Sequence, residues 1–191
     1  ATLTSATLTN VNLIGSTLTN TDLSNTTLNG LITGNITGIP LNIPINYRLL
    51  SGYIFGPSVN LSNIDLSNID LSNTNLTSAT LTSANLTNVN LTGTTLTSTN
   101  LSSTTLSGLI SESIIGIPLN IPTNYRLLSG FIFGPFVNLT SKNLSNIDLS
   151  NTNLTSAILT SSNLTNIVIT GSTLTNTDLS STTLTGLISE N

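Results

Sequence analysis

In the stretch NLSNIDLSNIDLSNTNLTSATL a leucine returns at every fifth position, Leu61, Leu66, Leu71, Leu76 and Leu81, and the run continues through Leu106. The same ladder runs from Leu3 to Leu28 and from Leu139 to Leu184, with only Ile169 replacing leucine. A period of five suits neither a helix nor a flat strand, whose side chains recur at about 3.6 and 2.0 residues. What fits is a very short strand followed by a corner: Leu and the residue two before it point inward, the residues flanking Leu point outward, and the last makes the turn. The inner minor position is then Ala79, Ala84, Val89 or Ile64, small or β-branched. If each segment turns the chain by a quarter circle, four close a square, and squares stack at the ~4.8 Å spacing of hydrogen-bonded strands. Each leucine then lies over another, and each buried leucine contributes ~1.5 to 3 kcal/mol relative to exposure.

Tracts of Ser, Thr and Asn ordinarily stay disordered, because too little apolar area is available to offset chain entropy. Here 37% of the 191 residues are hydrophobic and only 5% are charged, against roughly 25% charged in an ordinary soluble domain. The expected surface is therefore neutral and rich in hydroxyls. Three basic residues, Arg48, Arg126 and Lys142, against seven acids leave a net charge of -4. That gives no footprint for nucleic acid or an anionic membrane. The chain has no Cys and no His, so it lacks a disulfide framework, a thiol nucleophile, the commonest general base and the commonest metal ligand. Asp65 and Asp70 fall on adjacent outer faces of the square, where they read as solvated motif residues and not a catalytic pair. Abundant Ser and Thr have no base to activate them. We expect no enzyme activity, no cofactor and no metal.

The opening ATLTSATLTN has no initiator Met, basic n-region or apolar h-region, which reads as a processed or excerpted product. No apolar run approaches the ~20 residues of a membrane-spanning helix, so no membrane insertion is expected.

Two near-identical stretches interrupt the ladder, GIPLNIPINYRLLSGYIFGPSVNL from Gly38 to Leu61 and GIPLNIPTNYRLLSGFIFGPFVNL from Gly116 to Leu139. They hold all six prolines and all seven aromatics, Tyr47, Tyr53, Phe55, Tyr125, Phe131, Phe133 and Phe136. Proline cannot donate to a sheet ladder, so these stretches must leave or distort the regular coil. The division expected is ladder over 1–29, 58–107 and 136–191, with inserts over 30–57 and 108–135. Gly38 and Gly116, Leu61 and Leu139, and Leu106 and Leu184 are each 78 apart, which makes ten pentapeptides plus one insert a longer repeat. Two paths are open for the insert. If it completes four coils, successive inserts line up on one side; if it loops out, they rotate. Its aromatics either plug the rod locally, with Arg48 and Arg126 lying over the rings, or make lateral contacts between rods. On the second reading the candidate assembly contacts are Tyr47, Arg48, Tyr53, Phe55, Tyr125, Arg126, Phe131, Phe133 and Phe136.

Segments such as ANLTN, IDLSN and TNLTS resemble the motif of the pentapeptide-repeat proteins: a small residue, Asp or Asn, Leu, Ser or Thr, then a variable residue. The likeness covers every segment outside the inserts and implies a right-handed four-sided β-solenoid. TTLTG and NIVIT depart from it, with Thr, Ile or Val where Ala is commoner. The family also includes rods that imitate DNA and bind topoisomerase. That role needs a dense acidic face, since DNA carries one charge per ~1.7 Å of axis, and five scattered Asp residues do not supply one.

An uncovered terminal coil exposes unpaired backbone groups and an apolar column. Neither ATLTSATLTN nor TGLISEN reads as a cap. The expectation is therefore an extracellular or surface fibre, at a cell or virion, built by end-to-end continuation of solenoid units, with the chain itself as partner. Glycans are a further candidate partner, because Asn75, Asn85, Asn138 and Asn163 lie in Asn-Leu-Ser/Thr triplets that the motif creates automatically. The alternative is an ice- or carbohydrate-binding module using paired threonines such as those beginning at Thr2, Thr80, Thr95 and Thr173. Against it, the pair around Leu96 stacks on Asn75 and Thr77, which breaks the rank. A regulator of a DNA enzyme ranks below both.

Overall fold

The computed structural model describes residues 1–189, so the last two residues of the expected 136–191 ladder lie outside it. The chain winds as a right-handed quadrilateral β-solenoid. Each pentapeptide contributes one side. The residue before each Leu pairs in parallel with the residue twenty positions on, as in Asn60 to Thr80 to Asn100 and Asp65 to Asn85 to Thr105. Twenty residues therefore make one coil. Three hydrogen bonds per side carry the stacking, for example Leu61 N to Thr80 O at 2.8 Å, Asn63 N to Thr82 O at 3.0 Å and Thr80 N to Val59 O at 2.9 Å. Among the described residues no helix is long and apolar enough to cross a membrane.

Corners are made by the residue two after Leu, which takes positive φ while the Leu carbonyl accepts from the N–H three residues on, as in Ala79 N to Leu76 O at 2.9 Å. That is the type II turn, which demands a left-handed residue at its third position. The sequence supplies Asn, Ser or Gly there. Among the described residues the single bulky exception is Phe136, at φ 61.

The interior is a column of leucines, with Leu61 through Leu106 and Leu139 through Leu164 essentially inaccessible. Threonine and serine also point inward at the minor position, and their hydroxyls are satisfied by leucine carbonyls. Thr99 Oγ1 donates to Leu76 O at 2.6 Å, and Ser162 Oγ to Leu139 O at 2.6 Å. No buried side-chain polar atom among the described residues lacks a partner. A hydroxyl therefore substitutes for the usual methyl without an orphaned donor, whose cost would be ~1 to 3 kcal/mol.

The inserts do not simply leave the coil. In the first, Ile32, Thr37 and Asn42 still form three sides, pairing back to Asn12, Thr17 and Asp22. The fourth side is a hairpin of β1 (Arg48–Leu50) and β2 (Tyr53–Phe55), joined by Ser51 and Gly52, both at positive φ. Two left-handed residues in a two-residue loop define the type I′ turn, whose twist matches the flanking strands. The second insert repeats this with β3 (Arg126–Leu128) and β4 (Phe131–Phe133).

The hairpin coil spans 28 residues, since Ile32 pairs directly with Asn60 and Ile110 with Asn138. The 78-residue unit is thus 28 + 50 residues, or one hairpin coil and two and a half regular ones. Neither of the two paths considered from sequence describes it in full. The insert stays in the coil, yet the half coil puts successive inserts on opposite faces, Ile32 in the Asn60–Thr80 column and Ile110 in the Asp70–Asn90 column. At the strand spacing each unit advances by ~17 Å.

Candidate functional site

Each hairpin sits where the parallel ladder is closed on one face and open on two others. Beside the first, Thr37 and Asn42 pair back to the preceding coil, while Asp65 and Asp70, next in the same columns, pair forward to Asn85 and Asn90. No bridge among the described residues joins Thr37 to Asp65 or Asn42 to Asp70. The hairpin fills the break by bonding in both directions. Backward, Ile36 N donates to Gly52 O at 2.9 Å, and Ile54 N donates to the buried Thr33 Oγ1 at 2.9 Å. Forward, Arg48 Nη1 donates to Ser72 O at 2.8 Å and Thr74 Oγ1 at 3.0 Å. The second hairpin matches bond for bond. Ile114 N donates to Gly130 O at 3.0 Å, Ile132 N to Ser111 Oγ at 2.9 Å, and Arg126 Nη1 to Ser150 O at 2.7 Å and Thr152 Oγ1 at 2.8 Å. The two arginines thus reach a corner of the following coil and not a ring face. A charged donor to a turn carbonyl makes a stronger hydrogen bond than a neutral one.

The aromatic candidates are drawn together at the core. Phe55 and Phe133 are fully buried and Phe131 nearly so. Tyr53 tilts against Phe55 and Phe131 against Phe133, with ring centroids 6.2 and 6.1 Å apart and ring planes at 51° and 50°, within the range of favourable aromatic pairs. Tyr47 and Tyr125 are half-buried, and their hydroxyls donate to Pro57 O at 3.0 Å and Pro135 O at 2.9 Å. Burial raises both phenols above their ordinary value. A Cβ at Gly56 or Gly134 would collide with these tyrosine rings, so glycine is required there for close approach. Phe136 is separate from this group and half-exposed, at a left-handed corner where the first insert has Ser58.

Sequence reasoning missed the hydroxyl pair Thr33 and Ser111, although a hydroxyl recurring 78 residues apart inside the aligned inserts was a usable signal. It also missed the ion pair of Lys142 Nζ with Glu112 Oε2 at 2.6 Å, which has no equivalent at Gly34 and Ile64. A third omission is apolar surface. Ile39 and Leu41 flank Pro40, Ile117 and Leu119 flank Pro118, and all four side chains are at least 65% exposed. In the preceding coil Asn20 N and Ser98 N bond to Ile39 O and Ile117 O. Pro40 and Pro118 hold the positions one coil on, where an N–H would point toward the missing ladder. Proline there removes a donor that would have no partner.

The outer columns are mixed: Thr95 stacks between Asn75 and Ile115, and Asp65 beneath Asn85. Asn85 Nδ2 donates to Asp65 Oδ1 at 3.0 Å and Asn163 Nδ2 to Asn143 Oδ1 at 3.1 Å, so both candidate glycan-bearing nitrogens are engaged in axial bonds. Asp22, Asp148 and Asp178 are held below the ordinary carboxylate value chiefly by the hydroxyl, then the N–H, of the serine two residues on. For Asp65 and Asp70 the N–H leads. These are capping bonds of the Asx-turn kind, which Asn also makes here. Among the described residues no group of three His, Cys, Asp or Glu side chains could hold a metal ion.

The family profile of pentapeptide repeats matches eight copies, over residues 1–30, 58–93, 74–108, 136–171 and 147–186. No curated protein matches significantly. Among solved structures the chain is similar to Rfr23, a pentapeptide repeat protein from the cyanobacterium Cyanothece 51142, at 21% identity over 71% of this chain and 87% of that one (TM-score 0.27). It is similar to HetL, a pentapeptide repeat protein involved in heterocyst differentiation regulation from Nostoc sp. strain PCC 7120, at 22% identity over 98% of this chain but only 61% of that one (TM-score 0.25). It is also similar to QnrB1, a plasmid-mediated fluoroquinolone resistance protein, at 15% identity over 70% of this chain and 85% of that one (TM-score 0.35). Merged, the profile matches cover 1–30, 58–108 and 136–186, more than half of the sequence, and the chain belongs to the pentapeptide repeat family.

Proposed function

We propose that this chain is a structural, non-catalytic rod that builds a fibre outside the cell or on a cell or virion surface by continuing its solenoid end to end. The observation that carries the reading is the reproduction of one hairpin coil by the next, bond for bond and half a turn away. A unit that recreates its own boundary conditions can be added to another without new geometry, and two units restore the original orientation. Low charge supports the same reading. Like charges stacked at every coil repel, whereas the Asn columns hydrogen-bond along the axis, as in Asn88 Nδ2 to Asn68 Oδ1 at 3.2 Å.

Negative-stain electron microscopy and fibre diffraction of the purified full chain test this. Filaments with a meridional reflection near 4.8 Å and a layer spacing of ~17 Å or its double are expected. A monodisperse population of short particles at every concentration would sink the proposal.

A further inference from the structure

We propose that the two exposed apolar corners, Ile39–Pro40–Leu41 and Ile117–Pro118–Leu119, are lateral contact sites for a second copy of this chain. The inference deepens the rod reading and rests on it for its geometry.

Ile39 is 81% exposed and Ile117 79%, on a surface made mostly of Ser, Thr and Asn on which, outside these two corners, Ile45, Ile14, Ile115 and Phe136 are the other strongly exposed large apolar side chains among the described residues. Nothing local requires isoleucine there. Each side chain points away from the leucine column, and each corner already fulfils its backbone role through proline. Contiguous exposed apolar groups on such a surface mark interaction sites.

Three features select a second copy as the occupant. First, the corner recurs once per unit, so a rod meeting its own kind presents the same surface on both partners, as an isologous contact requires. Second, residues 31–47 and 113–125 contain no charged side chain, so bringing two such corners together apposes no like charges. Third, the size and placement are specific. Two side chains and a proline are far smaller than the roughly 800 Å² per partner of a stable pairwise interface, so a single contact is weak and adhesion must come from repetition along the rod. Because the half-coil offset puts the two corners on opposite faces, one rod can hold a neighbour on either side and the contact propagates into a sheet or bundle. The same placement argues against a lipid surface, since a single flat membrane cannot touch both corners of a straight rod.

The test compares the parent full chain with the variant I39S/L41N/I117S/L119N, using sedimentation velocity across a concentration series and measurement of filament width. The parent is expected to associate side by side, with width and sedimentation coefficient rising with concentration. The variant should remain as single rods, with its coil intact by circular dichroism. If the fourfold variant does not fold, I39K/I117K serves instead and should dissociate bundles through charge repulsion. Unchanged bundling in the folded variant overturns the proposal, as does a parent that stays single at all concentrations. So does a parent that stays single while floating with phosphatidylcholine vesicles. If neither protein elongates end to end, the fibre reading fails by itself, while a concentration-dependent difference between parent and variant still supports the lateral contact.

Discussion

The regular coils and the hairpin coils solve the same problem by different means. A regular coil is held by repetition: leucine inside, Asn or Ser at a left-handed corner, and three backbone bonds per side to the coil above. A hairpin coil gives up the ladder on two faces and replaces it with side-chain chemistry. A buried hydroxyl receives Ile54 or Ile132 N–H, an arginine caps the following turn, and paired rings fill the space. The regular solution tolerates exchange of Asn, Ser and Gly at corners because all three accept positive φ. The hairpin solution depends on individual atoms. In keeping with that dependence, the hairpin stretches 46–57 and 124–135 differ only at Tyr53 and Phe131.

The largest expected break in this contrast comes from the rings. Phe133→Ala should destabilise the second hairpin coil by ~3 to 5 kcal/mol, the usual range for a buried aromatic. Denaturant unfolding would show it, and hydrogen exchange should place the loss at residues 126–133. Thr33→Ala and Ser111→Ala come next. Each strands a buried backbone N–H and should cost ~1 to 3 kcal/mol, while Thr33→Ser should cost little. If both alanine variants melt like the parent, the hydroxyl is not what ties the hairpin to the rest of its coil.

Phe136 sharpens the comparison in the opposite direction, because it is a bulky residue in a conformation that disfavours every Cβ by ~1 to 2 kcal/mol. Phe136→Asn should raise stability by ~1 kcal/mol, and the same change at Ser58 should do almost nothing.

Smallest is the response to acid. Asp22, Asp65, Asp70, Asp148 and Asp178 have carboxyls held below their ordinary value by hydrogen bonds in the folded coil. Their contribution is therefore present above the unfolded value of about 3.9 and is lost as pH falls through the lower folded values. Because these groups are exposed, a shallow decline below about pH 4 is expected. Replacing all five with Asn should flatten the melting temperature over that range.

The regular coil was legible in the sequence because one residue type per position carries one physical demand. Leucine at every fifth position predicts the column, and Asn or Ser two residues later predicts the corner. The hairpin was only half legible. Ser-Gly between RLL and YIF or FIF is a two-residue hairpin signal, but proline drew attention to a departure from the coil when Pro40 and Pro118 in fact end a ladder that remains in place. The half-turn offset was hidden because it depends on the hairpin coil holding 28 residues, a length set by where Ile32 finds Asn60 and not by any local pattern. The exposed corners were missed because an isoleucine beside proline in an apolar-looking insert reads as core.

The ladder closed on a single face has a mechanical consequence. Where Ile32 meets Asn60 the backbone bonds run unbroken, while the opposite side is spanned only by a hairpin and a few side chains. Load across such a joint opens the side-chain side first and folds the rod about its bonded seam. With the next seam at Ile110 and Asn138 on the far side, deflections at successive joints share one plane and oppose one another. A filament of these units should bend like a flat ribbon, compliant in that plane and stiff across it.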